Sequence, residues 1–136
     1  MAQWKTVRTQ LKEKSEQEQL QSVVDFWMKA PLKKMAYDPE RLDEYPSPWD
    51  MMTDNDWCQN SIAIGMDFTL RLGGWDADRL QIKMIRDYDL SVQQLVLVVD
   101  GKYVLNYEYG VVADEITSNH DVLDSWTFTG KHYERT

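Results

Sequence analysis

The sequence predicts a single α+β domain, residues 1–136, in which a helix near the N-terminus and a second, cysteine-headed helix pack on a small antiparallel sheet. Three patterns carry that expectation. Leu20, Val23, Val24, Phe26 and Trp27 recur at helical spacing, and Ile62, Met66 and Leu70 do so again with Ala63 and Gly65 beside them. Leu80, Ile82 and Met84 then alternate with Gln81 and Lys83, ahead of the aliphatic run 95–99 and an Asp100-Gly101 turn. A chain of 136 residues can bury a core without staples, and 43% hydrophobic content with six Trp and seven Tyr belongs to a folded protein.

Taken in order, residues 3–19 are nearly all polar, and Lys12, Glu13, Lys14, Glu16 and Glu18 allow helix-supporting ion pairs. Residues 1–19 are therefore expected as a loosely held arm. The first apolar periodicity predicts a helix over 15–29, ended by Pro31. Pro39, Pro46 and Pro48 mark 37–48 as an irregular surface connection. Asn55 or Asp56 can cap the next helix, Gly65 marks close packing against a neighbour, and Gly73-Gly74 stops it. Strands are predicted over 79–86, 95–99 and 102–107, with an acidic turn at 87–91. The remainder, 111–136, holds short apolar pieces that read as an edge strand and closing turns.

Composition narrows the function. The net charge is −8, and residues 41–136 carry a net −9 while 1–40 are almost balanced. Direct binding to nucleic-acid phosphates is excluded on such a surface, which either keeps the protein soluble, docks a basic protein partner or imitates DNA. One cysteine forms no intrachain disulfide, the start lacks the apolar core of a signal peptide, and no run is long enough to cross a bilayer. A cytoplasmic protein with no membrane association is expected. No phosphate loop, zinc pattern or His-Glu-x-x-His helix occurs. His120 and His132 lack metal-site spacing, and Asp50, Asp54 and Asp56 lack the turn glycine of a calcium loop, so neither metal nor cofactor is predicted.

The chemistry centres on Cys58. It follows a polar approach containing Trp49 and Trp57 and stands at the start of the second helix, where free backbone N–H groups and the helix dipole favour a thiolate. The same placement also suits a small buried side chain.

Ser47-Pro48-Trp49, the run Asp56-Trp57-Cys58-Gln59-Asn60-Ser61-Ile62-Ala63, the strand opening at Gln94-Leu95 and the element Tyr103-Val104-Leu105-Asn106 together resemble the bacterial transglutaminase-like cysteine peptidases, of the papain-like and transglutaminase-like group. The resemblance covers 45–110. It implies Cys58 at the nucleophile position, a catalytic His at the start of the strand and an Asp that orients it. Here Gln94 stands at the histidine position and Asn106 at the aspartate position, and Gln59 and Asn60 replace the acids that follow the family's cysteine. An amide has no useful proton affinity near neutral pH, so Gln94 can position a hydrogen bond but cannot act as general base.

Two hairpin registers are open to the sequence. A three-residue 99–101 loop sets Gln94 directly across from Asn106 on one sheet face, and a two-residue Asp100-Gly101 turn puts Gln93 on that face instead, so either leaves a Gln beside Asn106. The resemblance with its lost base implies a catalytically degenerate member of the fold that acts by binding a protein partner, with Trp49, Trp57, Gln59 and Asn60 as a structural hub or cleft. Short acidic, aromatic-rich chains of this kind resemble accessory proteins of tailed phages, which would place it in a host cytoplasm. Two alternatives stay open: a working thiol enzyme that uses Cys58 with His120 as base, and an acidic DNA mimic that blocks a basic host protein.

Overall fold

Ser15 opens the first long helix with a reciprocal cap: its Oγ accepts from the Glu18 backbone N–H at 3.3 Å and donates to Glu18 Oε1 at 2.8 Å. A computed structural model describes residues 2–28, 48–49 and 59–136, and the helices among them are α1 (Ala2–Gln10), α2 (Glu16–Met28) and α3 (Gln59–Leu72). The strands are β1 (Leu80–Asp87), β2 (Val92–Val99), β3 (Tyr103–Leu105), β4 (His120–Phe128) and β5 (Tyr133–Arg135). They form one antiparallel sheet in the order β3-β2-β1-β4-β5. The predicted α+β class and antiparallel sheet are what the chain adopts. None of the described helices is long and apolar enough to cross a membrane.

The helices cover one face of the sheet. Leu80, Ile82 and Met84 of β1 and Leu95, Leu97 and Val99 of β2 join Val23, Trp27, Ile62 and Leu70 in the main core. The opposite face carries a smaller core of Ile85, Val96, Val98, Val104 and Ala113, partly roofed by Tyr107 and Ile116. β2 is buried on both faces from Gln94 onward, which is why 95–99 is unbroken aliphatic sequence.

The N-terminal segment departs from the loose arm its polar sequence suggested. Trp4 is fully buried, and its Nε1 donates to Thr69 Oγ1 at 2.9 Å; Trp27 Nε1 donates to the same oxygen at 2.9 Å. Thr69 in turn donates to the Gly65 carbonyl at 2.7 Å, so one hydroxyl joins all three helices. A polar segment anchored by two large apolar residues, Trp4 and Leu11, hides its attachment from any periodicity count. Gly65 has the close neighbour its sequence position suggested: a Cβ there would stand 2.4 Å from the Trp27 ring. The helix stops at Leu72, where Gly73 N–H returns to the Thr69 carbonyl and Gly74 takes a φ of 108°.

Two further sequence expectations differ. The β2–β3 loop is Asp100-Gly101-Lys102, with Val99 opposite Tyr103 and Leu97 opposite Leu105, a register that neither turn considered from sequence provides. Asp100 and Gly101 both take positive φ, 55° and 66°, and Lys102 N–H bonds the Val99 carbonyl, so the turn consumes one more residue than Asp-Gly alone. Residues 111–136 also contribute a nine-residue strand, β4, directly beside β1. A register shift at Met84/Ile85 leaves Leu123 without a β1 partner and breaks the alternation by which a strand is recognised.

Candidate functional site

Leu95 is the point where sequence-selected amides meet. The Lys102 N–H bond to Val99 O shows that the odd-numbered residues of β2 turn their backbone polar groups toward β3. β3 ends at Leu105, opposite Leu97, so the next outward pair on β2, the N–H and C=O of Leu95, has no strand to bond. Both are taken by side-chain amides: Leu95 N–H donates to Asn60 Oδ1 at 3.1 Å, and Asn106 Nδ2 donates to Leu95 O at 3.0 Å. Asn60 comes from the first turn of α3, and Asn106 leaves β3 in the left-handed conformation, φ 64°, which Asn tolerates better than most residues. The two amides complete the sheet ladder and tie the start of α3 to the sheet margin.

Gln94 is the neighbour of that junction. It lies opposite Ile85 on β1 and, by strand alternation, shares the face of Val96 and Val98 rather than the helix-packed face of Leu95 and Leu97. It is 5% exposed, and its Nε2 has no hydrogen-bond partner among the described residues. A buried unmet donor is costly, so Gln94 is a strained choice for a purely structural position. Asn106 does not lie across from it, because the observed register sets 106 past Leu105 and toward Leu95. A cleft of about 210 Å³ opens beside Asn106, walled by Val24, Trp27, Met28, Ile62 and Met66.

The remaining sequence-selected residues are not gathered here. Trp49 packs edge-on against Trp4, with centroids 5.2 Å apart, and against Phe68 at 6.0 Å. Phe68 is eight residues along α3 from Asn60, about 12 Å at 1.5 Å per residue, so Trp49 belongs with the middle of the helix. Trp57 and Cys58 lie outside the described residues, as do Asp50, Asp54, Asn55 and Asp56, and Gln59 is placed as the first residue of α3. His120 opens β4, two strands away from β2 on the side opposite β3, with Nδ1 2.8 Å from the Ser118 carbonyl. His132 lies next to β5, its Nε2 3.2 Å from Glu134.

Two further aspartates are buried and were not singled out by sequence. Asp67, on α3, accepts from Tyr133 Oη at 2.5 Å and pairs with Arg71 at 3.1 Å. Burial raises its pKa in spite of Arg71, and burial beside Asp67 likewise drives the Tyr133 hydroxyl well above its ordinary value. Asp87, fully buried at the end of β1, accepts from Leu90 N–H at 3.0 Å and Ser118 Oγ at 2.8 Å. Burial pushes its pKa up, but those donated bonds prevail and hold it below the ordinary aspartate value. Asp67 gave a hint as an acid between Met66 and Phe68, whereas Asp87, beside Arg86 and near Asp89, read as part of an acidic turn.

Solved structures with a similar backbone fold include those of LapG from Legionella pneumophila. The calcium-bound form matches at a TM-score of 0.77 and 19% identity, over 98% of this chain and 76% of LapG. The EGTA-treated form matches at 0.77 and 20%, over 98% and 78%. The fold is that of the transglutaminase-like cysteine peptidases. At this identity the likeness concerns the backbone alone, and no protein-family model or curated protein matches the chain in sequence. It agrees with the fold that the Cys58 to Asn106 pattern implied.

Proposed function

We propose that this protein is a catalytically degenerate member of the transglutaminase-like cysteine peptidase fold that acts by binding a protein partner, in the manner of an accessory protein such as those of tailed phages. The observation that supports it most is the position of the imidazoles. The chain has two histidines, and both lie on the β4–β5 side of the sheet, whereas α3 begins at the β3 side of β2. In the resemblance, Gln94 and Asn106 stand where the family carries base and orienter, and neither amide can accept and return a proton at neutral pH. Asn106 and Asn60 are already engaged in holding Leu95. Helix-end stabilisation of Cys58 can lower its pKa, but without a proton carrier it does not protonate a leaving amine.

One of the LapG structures is calcium-bound. Among the described residues no three His, Cys, Asp or Glu side chains gather into a cation site, and the two positions after Cys58 are neutral amides.

Iodoacetamide labelling of Cys58 across a pH series tests the proposal. The expected profile is a single titration no more than about two units below a free cysteine's pKa of about 8.5, unchanged by His120→Ala, with no acyl-enzyme formed from activated esters. Rapid labelling well below pH 7 that is lost with His120→Ala would overturn it in favour of a thiol enzyme.

A further inference from the structure

We propose that the open edge of β4, residues 120–124, is the surface that receives the protein partner, and that it takes an extended basic segment as an added strand; this rests on the partner-binding function proposed above. β4 is paired with β1 from His120 to Trp126, apart from the bulged Leu123, but β5 covers only Trp126, Thr127 and Phe128 on the other side. Thr136 N–H bonds Ser125 O, and beyond that point no described strand faces residues 120–124. Asp121, Val122 and Leu123 are all exposed, Val122 and Leu123 at 49% and 45%. Unpaired backbone with exposed apolar side chains is the template on which a foreign strand adds, main-chain bonds giving affinity and alternate side chains specificity.

The charge on this edge chooses the occupant. Asp121 and Asp124 lie on it and Asp89 accepts from Asn119 N–H next to its start, against Arg86, opposite Asp121, and Arg135, which pairs with Asp124. Asp121 is held by Tyr88 Oη at 2.6 Å and Asp124 by Arg135 Nε at 3.3 Å, so both carboxylates are fixed in place. A second copy of a chain with net charge −8 is repelled, and the bulge at Leu123 turns the edge away from indiscriminate pairing. An extended segment with Lys or Arg alternating with small apolar residues meets the carboxylates with its charges, and Val122 with its apolar side chains.

The probe is a blocked seven-residue peptide alternating Lys and Val, titrated into the full chain with amide hydrogen exchange as readout. Protection is expected at 120–125, with affinity falling at least ~10-fold for the Glu/Val counterpart and for one of the two peptides N-methylated at alternate residues, which lose the donors of one strand edge. Asp121→Lys with Asp124→Lys should weaken binding similarly, while the N-methylated peptides decide the matter even if that variant folds poorly. Equal binding by both methylated peptides, protection confined to another face, no binding, or protection of 120–125 by self-association without peptide would each overturn the β4 assignment. Protection elsewhere leaves a partner-binding protein with a different surface, and a Cys58 that proves catalytic removes the parent proposal without touching the peptide result.

Discussion

Asp67 and Asp87 are both buried carboxylates, yet the two faces of the sheet treat them in opposite ways. Asp67 sits under the helices, where its partners are one guanidinium, itself stacked on Phe68 and Phe128 at 4.2 and 3.7 Å, and one phenol. Asp87 sits at the end of β1 and receives a backbone N–H and a hydroxyl. The first is pushed toward its neutral form and the second is held ionised. A helix surface has already spent its backbone donors internally, so a carboxylate buried on it depends on side chains. A strand that runs into a turn still has N–H groups to offer. The helix-packed face is therefore where a single deletion should do the most damage.

The largest effect expected is Asp67→Ala. It leaves the Arg71 guanidinium, 13% exposed, without its carboxylate, and removes the acceptor for Tyr133 Oη that fastens β5 to α3. A loss of about 3 kcal/mol in urea unfolding is expected. If Asp67→Ala costs no more than an ordinary surface change, Arg71 is solvated and the contrast between the faces disappears.

Gly65→Ala comes next and examines the same face through packing. Alanine favours a helix by about 1 kcal/mol over glycine, but its methyl would lie 2.4 to 2.7 Å from three Trp27 ring atoms. Displacing an indole whose Nε1 is fixed to Thr69 should outweigh the propensity gain, for a net loss of about 2 kcal/mol in the same unfolding assay. A stabilised Gly65→Ala would show that α2 can move away from α3.

How much of this is legible in the sequence follows from which forces leave periodic traces. α2, α3, β1 and β2 are long elements with one repeating apolar pattern each, and their places are readable from it. Gly65 is readable because a glycine in mid-helix requires a reason. α1 is not, since Trp4 and Leu11, with the half-buried Val7, anchor an otherwise polar stretch, nor is β4, whose bulge at Leu123 disrupts the alternation. At the candidate site, Asn60, Gln94 and Asn106 stand out in the sequence as amides at positions where the resembled family carries ionisable groups, but the junction they border does not. Its centre is a backbone, that of Leu95, and a main-chain group has no letter in the sequence. The hairpin register that separates Gln94 from Asn106 depends on one extra turn residue, Lys102, and Asp-Gly does not announce it.

Asn106→Asp shifts attention to the sheet margin and should be milder than either core change. A carboxylate cannot donate to Leu95 O, so the bond at 3.0 Å is replaced by two facing oxygens. About 1 kcal/mol of stability should be lost at pH 7, with partial recovery in acid as the new carboxyl regains a proton and can donate. Stabilisation instead would mean that the position prefers an acid and that the amide is no ladder piece.

The smallest effect is confined to acid and belongs to Asp87→Asn. Since the folded-state pKa of Asp87 lies below the ordinary aspartate value of 3.8, the unfolded chain binds its proton first as pH falls. The stability that the ionised group contributes is thus complete above 3.8 and is lost as pH drops through the lower folded value. Asp67 works the other way, because its folded pKa is raised: the native state holds that proton more tightly, and stability declines as pH rises from 3.8 through the folded value. The two slopes oppose one another in the wild-type protein. Replacing Asp87 with Asn removes the component that rises with pH and leaves that of Asp67 exposed, so urea midpoints measured below pH 5 should fall less steeply toward acid than in the wild type. An unchanged acid slope would mean that Asp87 binds its proton equally in the folded and unfolded states, and that Leu90 N–H and Ser118 Oγ do not favour its charged form.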